Sequence, residues 1–274
     1  MEQIFPFIKW VGGKTQLLKQ LLSRLPKEYK TYYEPFLGGG AMLFAAKPKQ
    51  AKVNDINPFL VNVYKSIKEK PEEVIEQINQ LDKIACDQSY YFRNRELFNQ
   101  RITNHICDSY TAALFIWINK HCFNGLYRVN KKGLFNVPWN KKDARSIDEN
   151  NIRNISKFLQ NVCIYNLDFE EFCKDVEPGD FVYFDSPYVP ISKTANFISY
   201  DKDGFSLEDH IRLSDLFKRL DRLGAKLMLS NSTANLVTTL YNDYRIEAIS
   251  VKRNICCQGD KRTGEEVIIT NYDF

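Results

Sequence analysis

Apolar residues fall along this chain in two patterns. Short β-type runs at 30–34, 51–54, 163–167, 181–184 and 225–229 each stop abruptly at a polar or glycine-rich group. The first runs into Pro35-Phe36-Leu37-Gly38-Gly39-Gly40. The next three stop at Asp55, Asp168 and Asp185, and the last at Ser230-Asn231. Between the last two runs the periodicity changes to that of a helix. Ser206 and Asp209 form a capping box, Ile211, Leu213, Leu216, Phe217, Leu220 and Leu223 make the apolar stripe, and Gly224 ends it. Strands alternating with helices predict an α/β fold with a largely parallel sheet, whose ligands sit beyond the carboxyl ends of the strands. Three of the five strands end there in an aspartate, so this polar line marks a candidate site. Runs at 71–81 and 112–119 predict helices in a stretch that lacks the strand-then-acid pattern. That stretch, 57–157, is read as an insertion between the two parts of a core, 1–56 and 158–274.

Composition narrows the class. The chain has 274 residues, 44% hydrophobic and 14% aromatic, which describes a folded protein and argues against disorder. Its longest apolar runs (112–118, 181–184, 227–229) are far too short to cross a bilayer, and residues 1–6 lack the order of a secretion signal. Seven cysteines are an odd number for a disulfide framework, no CxxC pair occurs, and His105, His121 and His210 are widely spaced. Cys256 and Cys257 are adjacent and ill placed to ligate one ion together. The expectation is a reducing, cytoplasmic setting, no metal, and thiols most of which act as small buried hydrophobes.

Net charge is only +4, but it is unevenly placed. Seven basic residues and one acid lie between 120 and 145: Lys120, Arg128, Lys131, Lys132, Lys141, Lys142 and Arg145 against Asp143. Phe123, Asn124, Gly125, Tyr127, Asn130, Gly133, Phe135 and Trp139 are mixed among them. Solvated charge runs seldom carry so many aromatic, amide and glycine positions. Nucleic-acid surfaces do, with cations for phosphates and planar or amide groups for bases. Asn130, Lys141 and Lys142 are therefore candidate nucleic-acid contacts. The charged stretches 48–52, 65–70 and 218–222 read as solvated surface, and the helix stripe from Ile211 reads as core.

Three motifs carry chemistry. Gly12-Gly13-Lys14-Thr15 is not a phosphate loop, because Ile8 stands where that loop needs its first glycine. Gly38-Gly39-Gly40 is consistent with a tight turn. With Asp55 seventeen residues after Gly38, at the end of the next strand, it favours an adenosine-type ligand whose ribose the acid holds. Asp185-Ser186-Pro187-Tyr188 has the composition of a turn that ends a strand. Its place at a strand's carboxyl end also suits a planar exocyclic amine, with the carboxylate and a backbone carbonyl accepting two N–H groups while the ring stacks. Such acceptors raise electron density on a nitrogen whose lone pair is delocalised, and disperse the charge that develops as it attacks.

The order of these features resembles that of the Dam-type DNA adenine-N6 methyltransferases of the alpha group. Six segments carry the resemblance: Phe7-Ile8-Lys9-Trp10-Val11-Gly12-Gly13-Lys14, Glu34-Pro35-Phe36-Leu37-Gly38-Gly39-Gly40, Asp55-Ile56-Asn57, Asn124-Gly125-Leu126-Tyr127-Arg128, Phe135-Asn136-Val137-Pro138, and Asp185-Ser186-Pro187-Tyr188 followed by Thr194-Ala195-Asn196-Phe197. The resemblance implies a Rossmann-like core, with a largely parallel sheet and a C-terminal antiparallel hairpin, and an inserted, mainly helical target-recognition domain at 57–157. It implies S-adenosyl-L-methionine as methyl donor, S-adenosyl-L-homocysteine as product, no metal, double-stranded DNA as partner and a monomer. It further implies a cytoplasmic, nucleoid-associated enzyme, or one acting in a host's cytoplasm if phage-encoded. Trp10, Lys14, Glu34, Phe36, Gly38 and Gly40 would line the donor pocket, Asp55 would hold ribose, and Asp168 with Phe169 would bind the donor's adenine. Asp185, Ser186, Pro187 and Tyr188 would hold a flipped target adenine, with Asp185 also bordering the donor. Lys9, Leu126, Arg128 and Pro138 match positions that read GATC, Phe123 and Asn124 those that fill the gap at the flipping step, and Lys141 and Lys142 phosphate contacts.

The chain departs from this family at one position of the tetrapeptide. Serine stands at 186 where the family has proline, which keeps the backbone carbonyl and loses ring rigidity, while Pro187 still biases Ser186 toward an extended conformation. Two rival readings remain. One is methylation of adenine in RNA or of a protein amide; the other is a non-catalytic DNA-binding protein that senses the donor.

Overall fold

The computed structural model describes residues 3–14, 16–189, 205–252 and 263–274. Thr15, the Thr194-Ala195-Asn196-Phe197 segment, Cys256 and Cys257 lie outside the described residues. Among those described there are seven strands: β1 (Tyr32–Glu34), β2 (Ala51–Asn54), β3 (Val162–Tyr165), β4 (Phe181–Phe184), β5 (Lys226–Ser232), β6 (Arg245–Lys252) and β7 (Thr263–Thr270). The α-helices are α1 (Leu18–Leu22), α2 (Ala41–Ala46), α3 (Pro58–Glu69), α4 (Pro71–Asp82), α5 (Gln88–Thr103), α6 (Ser109–His121), α7 (Glu149–Leu159), α8 (Phe169–Phe172), α9 (Leu207–Leu223) and α10 (Asn235–Leu240). None of them is long and apolar enough to cross a membrane. Contacts divide the chain into two compact units: Met1–Gly13, Leu37–Lys47 and Asn54–Leu167 form one, and Lys14–Phe36, Pro48–Val53 and Asp168–Phe274 the other.

The second unit carries most of the sheet. Its strands lie in the order β2-β1-β4-β5-β7-β6; the first four are parallel, and β7 pairs antiparallel with both β5 and β6. The expected mixed sheet, mainly parallel with an antiparallel hairpin near the C-terminus, is present. All four residues of β4, Phe-Val-Tyr-Phe, are buried, as in a strand covered on both faces. α9 begins at the Ser206–Asp209 capping box and ends at Gly224, whose φ of 92° is left-handed.

The first unit is mainly helical. α6 is apolar on every side, residues 111–119 are all buried, and α3, α4 and α5 pack against it. α5 had no signal in the sequence because it buries Tyr90, Tyr91, Asn94, Phe98 and Asn99, an aromatic and amide face rather than an aliphatic stripe. α3 starts at Asn57, whose side-chain oxygen accepts from the Phe59 and Leu60 N–H groups at 3.0 and 3.3 Å.

Three details of the pattern reading change. β3 ends at Tyr165, so Asp168 is not the end of a strand; it caps α8, accepting from the Glu170 N–H at 2.9 Å. β5 does not stop at Ser230-Asn231, because β7 continues the ladder past them, pairing Ser230 with Ile268, Asn231 with Val267 and Ser232 with Glu266. In α9 the stripe is narrower than expected: Ile211 and Leu223 are 43% and 44% exposed, and His210 and Ser214 are buried in their stead. Leu213→Ala should therefore destabilise the protein by about 2–5 kcal/mol, and Ile211→Ala by no more than about 0.5 kcal/mol. Urea denaturation of the two variants checks this, and equal losses would refute the burial assignment.

Candidate functional site

In the first unit a glycine turn is clamped by an acid. Asp55 follows β2 and accepts from the Gly38 N–H with one carboxylate oxygen and from the Asn57 N–H with the other, both at 2.9 Å. Burial pushes its carboxyl up, and those two N–H groups pull it back. Gly38 and Gly40 have φ of 50° and 68°, and a Cβ on Gly38 would stand 2.7 Å from the Trp10 ring. Tyr64 donates its hydroxyl to the Gly38 carbonyl at 2.9 Å. Trp10 stacks on Tyr127, which stacks on Phe115, at ring separations of 5.5 and 5.2 Å. Tyr127, Phe115 and Tyr64 were not expected here; they come from α3, α6 and the segment after it.

The same unit gathers the expected DNA-reading residues. Asn119 on α6 accepts from the Lys9 N–H and donates to the carbonyls of Lys9 and Gly125, each at 2.9 Å. Lys9 therefore lies against the turn that precedes Leu126, although 110 residues separate it from Asn119. The Phe123 N–H donates to the Pro138 carbonyl at 2.8 Å, and Phe123 is 50% exposed beside Asn124, whose φ of 56° is left-handed. Arg128, exposed, donates to the Asn136 side chain at 2.8 Å. Lys141 and Lys142 are exposed. Asn130 uses its side-chain oxygen to build a turn, accepting from the Lys132 and Leu134 N–H groups at 2.9 and 3.1 Å.

In the second unit the tetrapeptide leaves the end of β4. The Lys14 ammonium, 5% exposed, lies 2.6 Å from Asp185 Oδ1, and the Ser230 hydroxyl donates to the same oxygen at 3.2 Å. The Lys14 Nζ also stands 4.5 Å from the centre of the Tyr188 ring. An N–H donor thus already meets the Asp185 carboxylate over an aromatic face, as the expected amine would. The Tyr188 hydroxyl donates to Glu266 Oε2 at 2.5 Å. Ser186 is 2% exposed and its hydroxyl accepts from Asn231 Nδ2 at 3.4 Å, while Pro187 is exposed. Asn231 also accepts from the Val189 N–H at 3.1 Å. Glu34, on β1, is buried and accepts from the Tyr32 hydroxyl at 2.7 Å.

Phe36 and Phe169 face each other at 5.5 Å, with Phe205 5.8 and 5.9 Å from them. Arg212 lies over Phe169 at 4.8 Å and bonds Asp168, Glu170 and Asp209 at 2.8–2.9 Å. Phe205, Arg212 and Glu266 escaped the sequence reading. Phe205 lies against Phe36 and Phe169, Arg212 against Asp168 and Glu170, and Glu266 against Tyr188, all tens of residues away, so no local spacing announces these contacts.

Burial raises the Asp185 carboxyl and the Glu266 charge adds to that, while Lys14 and the Ser230 hydroxyl lower it. Tyr183 and Tyr188 complete its titratable surroundings, and burial raises both phenols, with the Asp185 charge adding to it. Among the described residues no group of three or more His, Cys, Asp and Glu is arranged to hold a metal.

The profile of the family described as D12 class N6 adenine-specific DNA methyltransferase matches residues 10–255. The chain is 43% identical to the type II methyltransferase M.MjaIII of Methanocaldococcus jannaschii, over 98% of this chain and all of that one. It is 40% identical to the type II methyltransferase M1.LlaDCHI of Lactococcus lactis subsp. cremoris, over 97% and 95% of the two chains. It is also 29% identical to the DNA adenine methylase of Escherichia coli K12, over 97% and 94%. A putative class I S-adenosylmethionine-dependent methyltransferase from Listeria monocytogenes superposes with a TM-score of 0.37 at 10% identity, over 96% of this chain and 59% of that one, too loosely to bear on the fold.

Replacing Lys14 by Met removes the cation that opposes burial, so the Asp185 carboxyl should titrate at higher pH in that variant. Carboxyl-carbon NMR of the two proteins reads this, and an unchanged or lower Asp185 titration would contradict the pairing.

Proposed function

The chain belongs to the D12 class N6 adenine-specific DNA methyltransferases, and we propose that it transfers a methyl group from S-adenosyl-L-methionine to N6 of a flipped adenine in double-stranded DNA, within GATC. The observation that carries this is the Asp185 carboxylate, which is held at one oxygen by Lys14 and Ser230 with the Tyr188 ring alongside.

The residues present fit the donor's parts. Within the first unit, the positive-φ glycines make a turn that a Cβ would fill, and Asp55 keeps acceptor lone pairs for ribose hydroxyls beyond its two backbone bonds. Within the second, Phe36 and Phe169 offer aromatic faces for an adenine ring, with Asp168 beside them. Bound there, S-adenosyl-L-methionine supplies a methyl group activated by its sulfonium.

The rest is work for the chain's own groups. The target adenine leaves the duplex and stacks on Tyr188. Its N6 donates to Asp185 and to the Ser186 carbonyl, which draws the nitrogen toward the tetrahedral form that attacks carbon. Asp185 disperses the positive charge that grows on N6 as the bond to methyl forms and the sulfonium bond breaks, and the nitrogen then sheds a proton to water. Holding the reactants in register supplies much of the acceleration. Segment 57–157, together with Lys9, acts as the recognition surface: Lys9, Leu126, Arg128 and Pro138 read bases, Phe123 and Asn124 fill the vacated space, and Asn130, Lys141 and Lys142 meet the backbone.

Incubating the protein with labelled donor and a defined plasmid, then mapping modified adenines molecule by molecule, tests this directly. Methyl on N6 at GATC supports it. Transfer to RNA alone, or donor binding without transfer, would replace it with one of the two rival readings. Asp185→Ala should lower turnover by at least about 10²-fold while leaving donor binding in place, as calorimetry would show. Ser186→Pro keeps the carbonyl and deletes the Asn231 bond, so turnover should be unchanged or faster. A sharp fall would show that the site has adapted to serine.

A further inference from the structure

The ring of Tyr188 can serve as a platform for a base only if its tilt is fixed. Nothing in a loop of the form Ser-Pro-Tyr fixes it, because rotation about two side-chain bonds swings an aromatic ring through tens of degrees. The fixing group comes from elsewhere in the second unit. Glu266 lies on β7, opposite Ser232 on β5 and Ile249 on β6, so strand ladders on both sides hold its backbone. From that mount its Oε2 accepts the Tyr188 hydroxyl at 2.5 Å, the short distance of a hydrogen bond to a charged acceptor. The next residue is anchored too: Val189 donates its N–H to Asn231 at 3.1 Å and accepts from the Ser232 hydroxyl at 2.5 Å.

A second acid near Asp185 carries a cost. Glu266 pushes up both the Asp185 carboxyl and the Tyr188 phenol. An amide could accept the same hydroxyl without adding that charge. The carboxylate is the stronger acceptor and so grips the phenol more firmly.

We propose that Glu266 is a positioning residue for methyl transfer, holding the Tyr188 ring at the tilt on which the flipped purine stacks. The inference rests on the function proposed above and assigns that site a support outside the tetrapeptide.

The test compares wild type, Glu266→Ala, Glu266→Gln, Tyr188→Phe and the Tyr188→Phe/Glu266→Ala double variant. Each is assayed for kcat and KM on a duplex, for the fluorescence of 2-aminopurine placed at the target position, and for melting temperature. Glu266→Ala should lower kcat about tenfold, the scale of one lost charge-assisted hydrogen bond. It should also change the 2-aminopurine signal and leave KM for the donor and the melting temperature close to wild type. Glu266→Gln, which retains an acceptor, should recover most of the loss. Tyr188→Phe should lose as much as Glu266→Ala, and the double variant no more than either.

A wild-type kcat in Glu266→Ala, or losses that multiply in the double variant, would overturn the inference while leaving the function standing. A fall in melting temperature that accounts for the lost activity would do the same. A wild-type protein that transfers no methyl to duplex adenine overturns the function, and the inference with it.

Discussion

A carboxylate that burial pushes up and one neighbouring ammonium pulls down is the constraint on which the second unit's site depends. Asp185 leaves the end of a fully buried strand, and burial alone drives its carboxyl toward the neutral acid. A neutral acid would offer a donor where two acceptors are wanted. The Lys14 ammonium, itself 5% exposed, opposes that drift at 2.6 Å. Pairs this dry add little net stability, because both charges lose their hydration. What the pair provides is orientation: one carboxylate oxygen is held by the Lys14 ammonium and the Ser230 hydroxyl.

Much of this was legible in the chain because it is local. A strand that stops at an acid states its own geometry, which is why β2 with Asp55 and β4 with Asp185 could be read directly. The capping box of α9 was equally plain. Legibility failed where the deciding neighbour is distant. The polar Ser230-Asn231 looked like the end of β5 until β7 paired with it. Ile211 looked like core by spacing, yet the buried arc of α9 is centred on Leu213, Leu216, Phe217 and Leu220. Asp168 looked like a strand terminus and is instead a helix cap tied to Arg212. Lys14 was named through the resemblance, but its spacing gave no hint that Asp185, 171 positions on, would receive its ammonium. The helices α3, α5 and α7 escaped notice individually, although the segment that holds them stood out by lacking strands.

Glu266 and Asn231 show the limit in another form. Glu266 belongs to no motif, and Ser230-Asn231 could be read only as the polar end of a strand. Their importance comes from register: on β5 and β7, residues at 231 and 266 fall level with the loop that leaves β4. One displaced residue along either strand would turn the side chain to the opposite face. Hydrogen bonds specified by strand register are read from a sheet, not from a string.

The same strands account for the serine in the tetrapeptide. Proline at position 186 would restrict the backbone covalently, and the unfolded chain would share that restriction, so little order would be gained at folding's expense. Serine leaves the unfolded chain freer and asks the folded state to supply the order. Here Asn231 bonds the Ser186 hydroxyl and the Val189 N–H, Ser232 bonds the Val189 carbonyl, and Pro187 biases the residue before it. The longest of these, 3.4 Å, is the one that reaches Ser186 itself. Restraint therefore enters mainly at the far end of the loop and reaches position 186 through two residues. The backbone at Ser186 is thus restrained by its surroundings rather than by its own ring, with the buried polar end of β5 supplying the bonds.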